Sequence, residues 1–498
     1  MNIRFAVSAL ALTAATSANA QDLAQSGSDW FVAGQTTIQE ILDRQPNTNT
    51  ARNVIVLVAD GNGVSTNYAT RLFMGQQEGG LGEDYVLPYE GNDFYNALVK
   101  TYNINAQTPD SAPTAGALNT GVKQRFNLIN LGENAIHDDC TTEADNGLDL
   151  FSEMMTEAGK SVGIVSTARI THATPAAVYA RTANRNWEDA VPEECESSRD
   201  IATQLIDQME AGVIDFALGG GGRYFAPEGT AHGEITGSRA DDSDLVARAM
   251  DLGAQFASNQ EEFDALSLDG SAPVLGLFED SHMMYEYDRT GEPSLAEMTA
   301  AAIEYLSTNE DGFYLEIEAG RVDHANHAGN LYRTLTDGVA FAEAVAIADE
   351  MTDDEDTLLI VTADHEHAIA FNGYCGRGSD ITGLCYDIAQ EGIEHTDELV
   401  LAADGKPYSI VGYLNGAGSV LIEQEDGTFS GERPDVDQET VTDPDYLQQA
   451  LVPMSSETHS GVDVAAYAKG PFAHLVSGTL EQNVLFHVMH HAVFGAGE

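Results

Sequence analysis

Residues 313–330 read F-Y-L-E-I-E-A-G-R-V-D-H-A-N-H-A-G-N. The first five, Phe313 to Ile317, have the character of a buried strand. Glu318, Asp323, His324 and His327 then follow within ten positions. Asp323 and His327 are four apart, so one helical turn aims both side chains at a single point. A carboxylate and an imidazole on one face are ligand types that zinc accepts. A solvated polar turn is the plainer reading of a lone D-x-x-x-H. A second junction tells against it here, because Asp364-His365-Glu366-His367 follows another apolar run, T-L-L-I-V-T at 357–362.

Working outward, further strand ends carry polar residues in the same way. Residues 53–59, N-V-I-V-L-V-A, form a continuous β-branched run of the kind buried on both faces of a parallel sheet. It ends in Asp60-Gly61-Asn62-Gly63. Strands are also expected at 162–166, 213–218 and 464–468, the last just after Thr458-His459-Ser460-Gly461. Helical patterns at 294–306 and 335–351 lie between strands. This alternation predicts an α/β fold with a doubly wound, mainly parallel central sheet flanked by helices. In such sheets ligands bind past the carboxyl ends of the strands, where Asp60, Glu318, Asp364 and His365 fall. Residues 108–117, T-P-D-S-A-P-T-A-G-A, turn into small helix-compatible residues with Ser111 at or near the helix start. Ser111 reads plainly as an N-cap. Functionally it reads as a hydroxyl beside an anion seat made by the helix N-terminus. The glycine run 219–222 reads as a turn.

The chain has 498 residues, enough for a large core, with 43% hydrophobic and 8% aromatic residues, as in a folded globular protein. Charge sets it apart: 80 Asp and Glu stand against 22 Lys and Arg, a formal net of -58. The acids are spread along the chain as a solvated surface. Such a surface repels nucleic acid, anionic membrane and itself. Salt at 1 M shortens the screening length to roughly 3 Å and relieves that repulsion, so a protein adapted to a salty medium is expected. Its unfolding midpoint should rise between low and molar NaCl; equal midpoints would contradict the expectation.

Residues 1–20 read as a secretory signal: Arg4, an apolar run at 5–15, and Ala18-Asn19-Ala20 as the cleavage site. No later apolar run reaches the ~18 residues that a membrane span needs. Export to the periplasm or the medium leaves 21–498 as the mature α/β domain and suits disulfides. Cys140, Cys195, Cys375 and Cys385 lie outside the ligand clusters and lack C-x-x-C spacing. Three pairings are open, with Cys140–Cys195 and Cys375–Cys385 favoured. Residues 372–458 are rich in Gly, Asp and Glu with short alternating runs, and read as an insertion between core strands.

Collected in order, Asp60, Ser111, Thr174, Arg185, Glu318, Asp323, His327, Asp364, His365 and His459 combine a nucleophile, metal ligands and a guanidinium able to fork onto an oxyanion. The runs V-A-D-G-N-G at 58–63, P-D-S-A-P-T-A-G-A at 109–117, V-S-T-A-R-I-T-H-A-T-P-A-A at 165–177, E-A-G-R-V-D-H-A-N-H-A at 318–328, V-T-A-D-H-E-H at 361–367 and T-H-S-G-V-D-V at 458–464 resemble alkaline phosphatase. The resemblance extends from about residue 53 to the C-terminus. It implies one zinc on Asp323, His327 and His459, and a second on Asp60, Asp364 and His365 with Ser111 beside it. It also implies a magnesium on Asp60, Thr174 and Glu318, a hard ion suited to oxygen ligands. Ser111 would attack phosphorus and form a phosphoserine, Arg185 would grip the phosphoryl oxygens with Asp110 orienting it, and monoester specificity would be broad. Well-studied bacterial members carry Asp and Lys where this chain has His172 and His324, and animal members resemble it at both. These two are expected beside the magnesium and near the phosphate respectively. His367, His487, His490 and His491 are read as structural, Ser166 and Thr167 as fold residues. The insertion resembles a crown-like elaboration used at a dimer interface, so a homodimer is expected.

Two other readings compete. A sulfatase needs a C/S-x-P-x-R run, whereas A-P-T follows Ser111, and a diesterase lacks the Thr174 and Glu318 pair. An exported acidic cation-binding protein would account for the charge but has no use for a Ser-Arg-His set at strand ends.

Overall fold

Asn53–Ala59 forms strand β1, and all seven residues are buried. Alternate side chains fill two cores: Val54, Val56 and Val58 face one, Ile55, Leu57 and Ala59 the other. That is the condition under which an unbroken apolar run is stable in a sheet covered on both sides. The other strands of this sheet are β2 (Tyr95–Lys100), β3 (Ser161–Arg169), β4 (Phe216–Gly220), β5 (Gln255–Ala257), β6 (Val274–Leu277), β7 (Phe313–Ala319), β8 (Thr357–Thr362), β9 (Val464–Lys469) and β10 (Gly478–Glu481). Their spatial order is β10-β2-β9-β8-β1-β7-β3-β4-β6-β5. Helices Leu295–Leu306 and Leu331–Met351 cover one face. Ser111–Thr120, Ile201–Glu210 and Val484–Phe494 cover the other.

The doubly wound, mainly parallel sheet is therefore present, with one reversal. β9 runs antiparallel to both neighbours, β8 and β2. The cause is local, since β9 begins just after His459, at the end of the sheet where the parallel strands finish, and must run back. Register puts the strand ends level. Val58 pairs with Glu318 of β7 and with Thr362 of β8, so Asp60, Glu318 and Asp364 emerge side by side.

The computed structural model describes residues 23–495, so the signal read at 1–20 lies outside the described residues. The described residues up to Gln45, with the helix Asp29–Asp43, form one unit, and those from Pro46 form the other. No described helix is long and apolar enough to cross a membrane. Two disulfides are formed, Cys140–Cys195 and Cys375–Cys385, the pairing favoured from sequence. After β8 the chain builds a three-stranded sheet from Ile369–Phe371, Val411–Gly416 and Ala450–Pro453. Val411 and Tyr413 of this sheet, with Ile381 from the segment between its strands, pack on Leu72 and Phe73 of helix Val64–Gln77 and on Leu331 and Leu335.

Candidate active site

Six segments deliver polar side chains to one spot above the middle of the sheet. The turn after β1 supplies Asp60. Gly61 follows at φ +70°, and a Cβ there would lie 2.3 Å from His367 Nε2; only glycine fits. Helix Ser111–Thr120 begins at the nucleophile candidate, and the N-cap is the residue before it, Asp110. The helix Arg321–Ala328 after β7 carries Asp323 and His327. The turn after β8 carries Asp364 and His365, the short helix Ala173–Ala176 carries Thr174, and His459 lies just before β9.

Asp323, His327, His459 and also His367 each place one ligand atom within 4.8 Å of the others. His327 Nδ1 lies 2.6 Å from the Glu457 carbonyl and His459 Nδ1 lies 2.9 Å from the Pro109 carbonyl. Each Nδ1–H is thus donated, which leaves both Nε2 atoms as acceptors. Those two Nε2 atoms are 3.0 Å apart, and each is 3.4 Å from Asp323 Oδ1. Two imidazole nitrogens whose protons are turned away, beside a carboxylate oxygen, are the donor set of a cation.

Beside them Asp60 is fully buried, and neither carboxylate oxygen has a hydrogen-bond partner. His365 Nε2 lies 3.3 Å from Asp60 Oδ1 and 3.1 Å from Asp364 Oδ2. Ser111 Oγ is 3.2 Å from the same His365 nitrogen. Thr114 Oγ1, one turn along the helix, lies 3.3 Å from Asp364 Oδ2 and 2.9 Å from the Ser111 carbonyl. Thr174 Oγ1 and Glu318 Oε1 are buried without partners. An unpartnered buried polar group costs about 1–3 kcal/mol, and a charged one more, unless a cation compensates it. The donor sets therefore suit metal ions: nitrogen and oxygen for the first two, oxygen alone for Asp60, Thr174 and Glu318.

The electrostatics carry the same signature. Burial, then Asp364, Asp323 and Glu318, push the Asp60 carboxyl well above its usual range. Burial raises Glu318 to about 8, against the hydrogen bond from Ser166. Burial and neighbouring His459 hold His365 well below the ordinary imidazole value. Burial opposes the charge of Asp323 too, but His327, His367 and His459 outweigh it and hold that carboxyl well below the usual range.

Arg185 stands at the mouth. One guanidinium nitrogen donates to Asp110 Oδ1 at 2.5 Å, and the other lies 2.8 Å from His172 Nε2. His172 and His324 are neighbours, with ring centroids 5.4 Å apart. Burial lowers both, His324 to about 3.

Several residues of the site were not assigned to it from sequence. His367, read as structural, donates to Asp323 Oδ1 at 2.8 Å and faces Glu457 with its other nitrogen. Burial works against its charge, but these two carboxylates hold it up at about 10. Glu457 adjoins Thr458-His459 in the sequence but belongs to no ligand motif there. Ser166, read as a fold residue, bonds to Glu318. His282 packs its ring 4.0 Å from that of His324. It follows β6, and the strand-end rule applied to that run would have found it. His487 and His490 lie on helix Val484–Phe494, packed against Phe486, and His491 packs on Phe472.

Similarity to known proteins gives the family. The family profile for alkaline phosphatase matches residues 51–494. The chain belongs to the alkaline phosphatase family. It is 39% identical over 485 residues to the tissue-nonspecific alkaline phosphatase isozyme of Gallus gallus, covering 93% of this chain and 88% of that one. It is 38% identical to an alkaline phosphatase of Gadus morhua, covering 93% and 96%. Among solved structures it resembles Thermus thermophilus alkaline phosphatase, with TM-score 0.63 and 25% identity over 93% of this chain and 95% of that one. The alkaline phosphatase of the Antarctic bacterium TAB5 shares the fold, with TM-score 0.61 and 20% identity over 90% and 100%. As a family member the chain is a metal-dependent phosphomonoesterase.

Proposed function

We propose that this alkaline phosphatase family member hydrolyses phosphate monoesters through a phosphoserine on Ser111. The observation that carries the reading is the Ser111 hydroxyl 3.2 Å from His365, beside the buried, partnerless carboxylate of Asp60. Asp323, His327 and His459 would hold one zinc, Asp60, Asp364 and His365 a second, and Asp60, Thr174 and Glu318 a magnesium. When bound, such ions lower the pKa of a nearby hydroxyl and stabilise charge on the entering and leaving oxygens.

The residues of the chain do the rest. Arg185 grips two non-bridging phosphoryl oxygens, with its fork set by the bond to Asp110. Ser111, at the N-terminal end of its helix, presents Oγ where the helix dipole favours the phosphoryl charge. Oγ attacks phosphorus, the Oγ–P bond forms and the bond to the alcohol oxygen breaks. Water then displaces Ser111 from phosphorus, restoring the hydroxyl and releasing inorganic phosphate. His324 lies near the phosphoryl group and His172 beside the magnesium ligands, holding Arg185. Recognition is of the phosphoryl group, so a broad range of monoesters is accepted.

Acid-quenching turnover with p-nitrophenyl phosphate and sequencing the peptides by mass spectrometry tests this. The phosphate should be found on Ser111 alone; phosphate on another residue, or a protein free of it under conditions that trap phosphoserine, counts against the reading.

The mature chain 21–498 is exported to the periplasm or medium after cleavage following Ala20, which the two disulfides support. Residues 372–458 form a crown-like insertion at a homodimer interface. In its support, Leu401, Leu414, Ile422, Leu451, Val452 and Met454 expose apolar side chains there.

A further inference from the structure

Deeper in the sheet, on the same face of β7 as Glu318, lies a polar cluster that the reaction does not use. Tyr314, Glu316 and Glu318 alternate with Leu315 and Ile317 and so point to one side. Glu316 is 1% exposed. Its Oε2 accepts from Asn119 Nδ2 at 2.9 Å and from the Tyr314 hydroxyl at 2.9 Å. That hydroxyl also lies 3.1 Å from Asn119 Oδ1. The remaining oxygen of Glu316, Oε1, has no partner. A buried carboxyl with a bare oxygen weakens a core relative to an apolar side chain of similar size, so stability does not account for it.

The helix above supplies a reason. Asn119 is the next-to-last residue of Ser111–Thr120, which is buried along its whole length. Its sequence, S-A-P-T-A-G-A-L-N-T, has one large apolar side chain, Leu118. Apolar packing has no direction, and a helix of small side chains meets little resistance to sliding or rotating over a strand. Hydrogen bonds are directional and fix what packing leaves loose. Near its start the helix is held by its N-cap Asp110, which pairs with Arg185 and whose N–H donates to Asn103 Oδ1 at 3.0 Å. Near its end it is held by Asn119 on Glu316. Ser111 and Asn119 are ~12 Å apart along the axis, so the two anchors set both height and rotation.

We propose that Glu316, with Asn119 and Tyr314, positions the nucleophile, locking the helix of Ser111 in register with β7 and so holding Oγ against the ligands that β7 and its neighbours deliver. The proposal rests on the reading of Ser111 as nucleophile. Glu316 acts through the helix and touches no reacting atom. A purely structural role would lower the melting temperature of variants and leave kcat per metal-loaded molecule unchanged.

The test is kcat on p-nitrophenyl phosphate, with metal content and melting temperature measured for every variant. Glu316→Leu and Asn119→Leu should each lower kcat by ~10- to 100-fold at full metal content, since misplacement by ~1 Å costs up to ~10²-fold. The double variant should be no slower than the slower single one, because the two residues act as a unit. Glu316→Gln, whose amide oxygen still accepts both hydrogen bonds, should restore kcat to near the wild-type value. Should the leucine variants not fold, Tyr314→Phe removes one oxygen only, and a ~5-fold fall is expected from the loss of about one hydrogen bond. Wild-type kcat in the metal-loaded variants overturns the proposal, as does a double variant whose loss is the product of the two single losses. Ser111→Ala in the same series keeps the two readings apart. Turnover retained there removes the nucleophile itself, whereas a dead Ser111→Ala beside unimpaired cluster variants removes the positioning alone.

Discussion

Ser111→Ala should lower kcat/KM for p-nitrophenyl phosphate by at least ~10³-fold, the scale on which a lost nucleophile acts. The substitution is clean. The helix is capped by the Asp110 side chain on Ala112 N–H, so its start does not depend on the serine hydroxyl. Ser111 is 2% exposed, and alanine, one oxygen smaller, fits without a clash. Arg185 and the acceptor clusters remain, so the variant should still bind inorganic phosphate and retain metal. Melting temperature, phosphate inhibition and metal content serve as controls. A variant that is folded, metal-loaded and undiminished in turnover would take Ser111 out of the chemistry.

Chelation should have the second large effect, abolishing turnover and lowering the melting temperature together. Asp60, Asp364, Asp323 and Glu318 are all buried in the site, and without cations their charges face one another. An ion at 100-fold its Kd adds ~2.7 kcal/mol to stability by mass action. The pH dependence follows in sign. Burial raises Glu318 from 4.5 to about 8, so the folded chelated protein holds this proton more tightly than the unfolded chain does. The stability from that proton is fully present below about pH 4.5 and is lost as pH rises to about 8. The metal-loaded protein, whose carboxylates are compensated, should lose far less over this window. Zinc and magnesium together should restore activity. Activity that survives exhaustive chelation, with metal shown to be gone, would contradict the account.

The parts legible in the sequence were those that local pattern specifies. The run 53–59 had to be a two-sided buried strand, and Asp60, Glu318 and Asp364 sit past strand ends because register makes those ends level. Asp323 and His327 meet because they are four apart on a helix. What stayed hidden depended on contacts across the chain. Glu457 reaches His367 over 90 positions, and His282 meets His324 only because β6 and β7 belong to one sheet. The reversal of β9 was hidden as well, since V-A-A-Y-A-K reads alike in either direction. His367 shows the limit of reading a motif by residue type. In Asp364-His365-Glu366-His367, the first two enter the site, Glu366 accepts from Ser65 N–H at the start of helix Val64–Gln77, and His367 braces Asp323 from behind.

Crystals of the protein purified with zinc and magnesium, measured on both sides of the zinc absorption edge, test the central claim most directly. Two anomalous peaks are expected. One should lie ~2.0–2.2 Å from ligand atoms of Asp323, His327 and His459, the other at such distances from Asp60, Asp364 and His365, with Ser111 Oγ facing the second. Peaks elsewhere, or none in protein that turns over substrate, would contradict it.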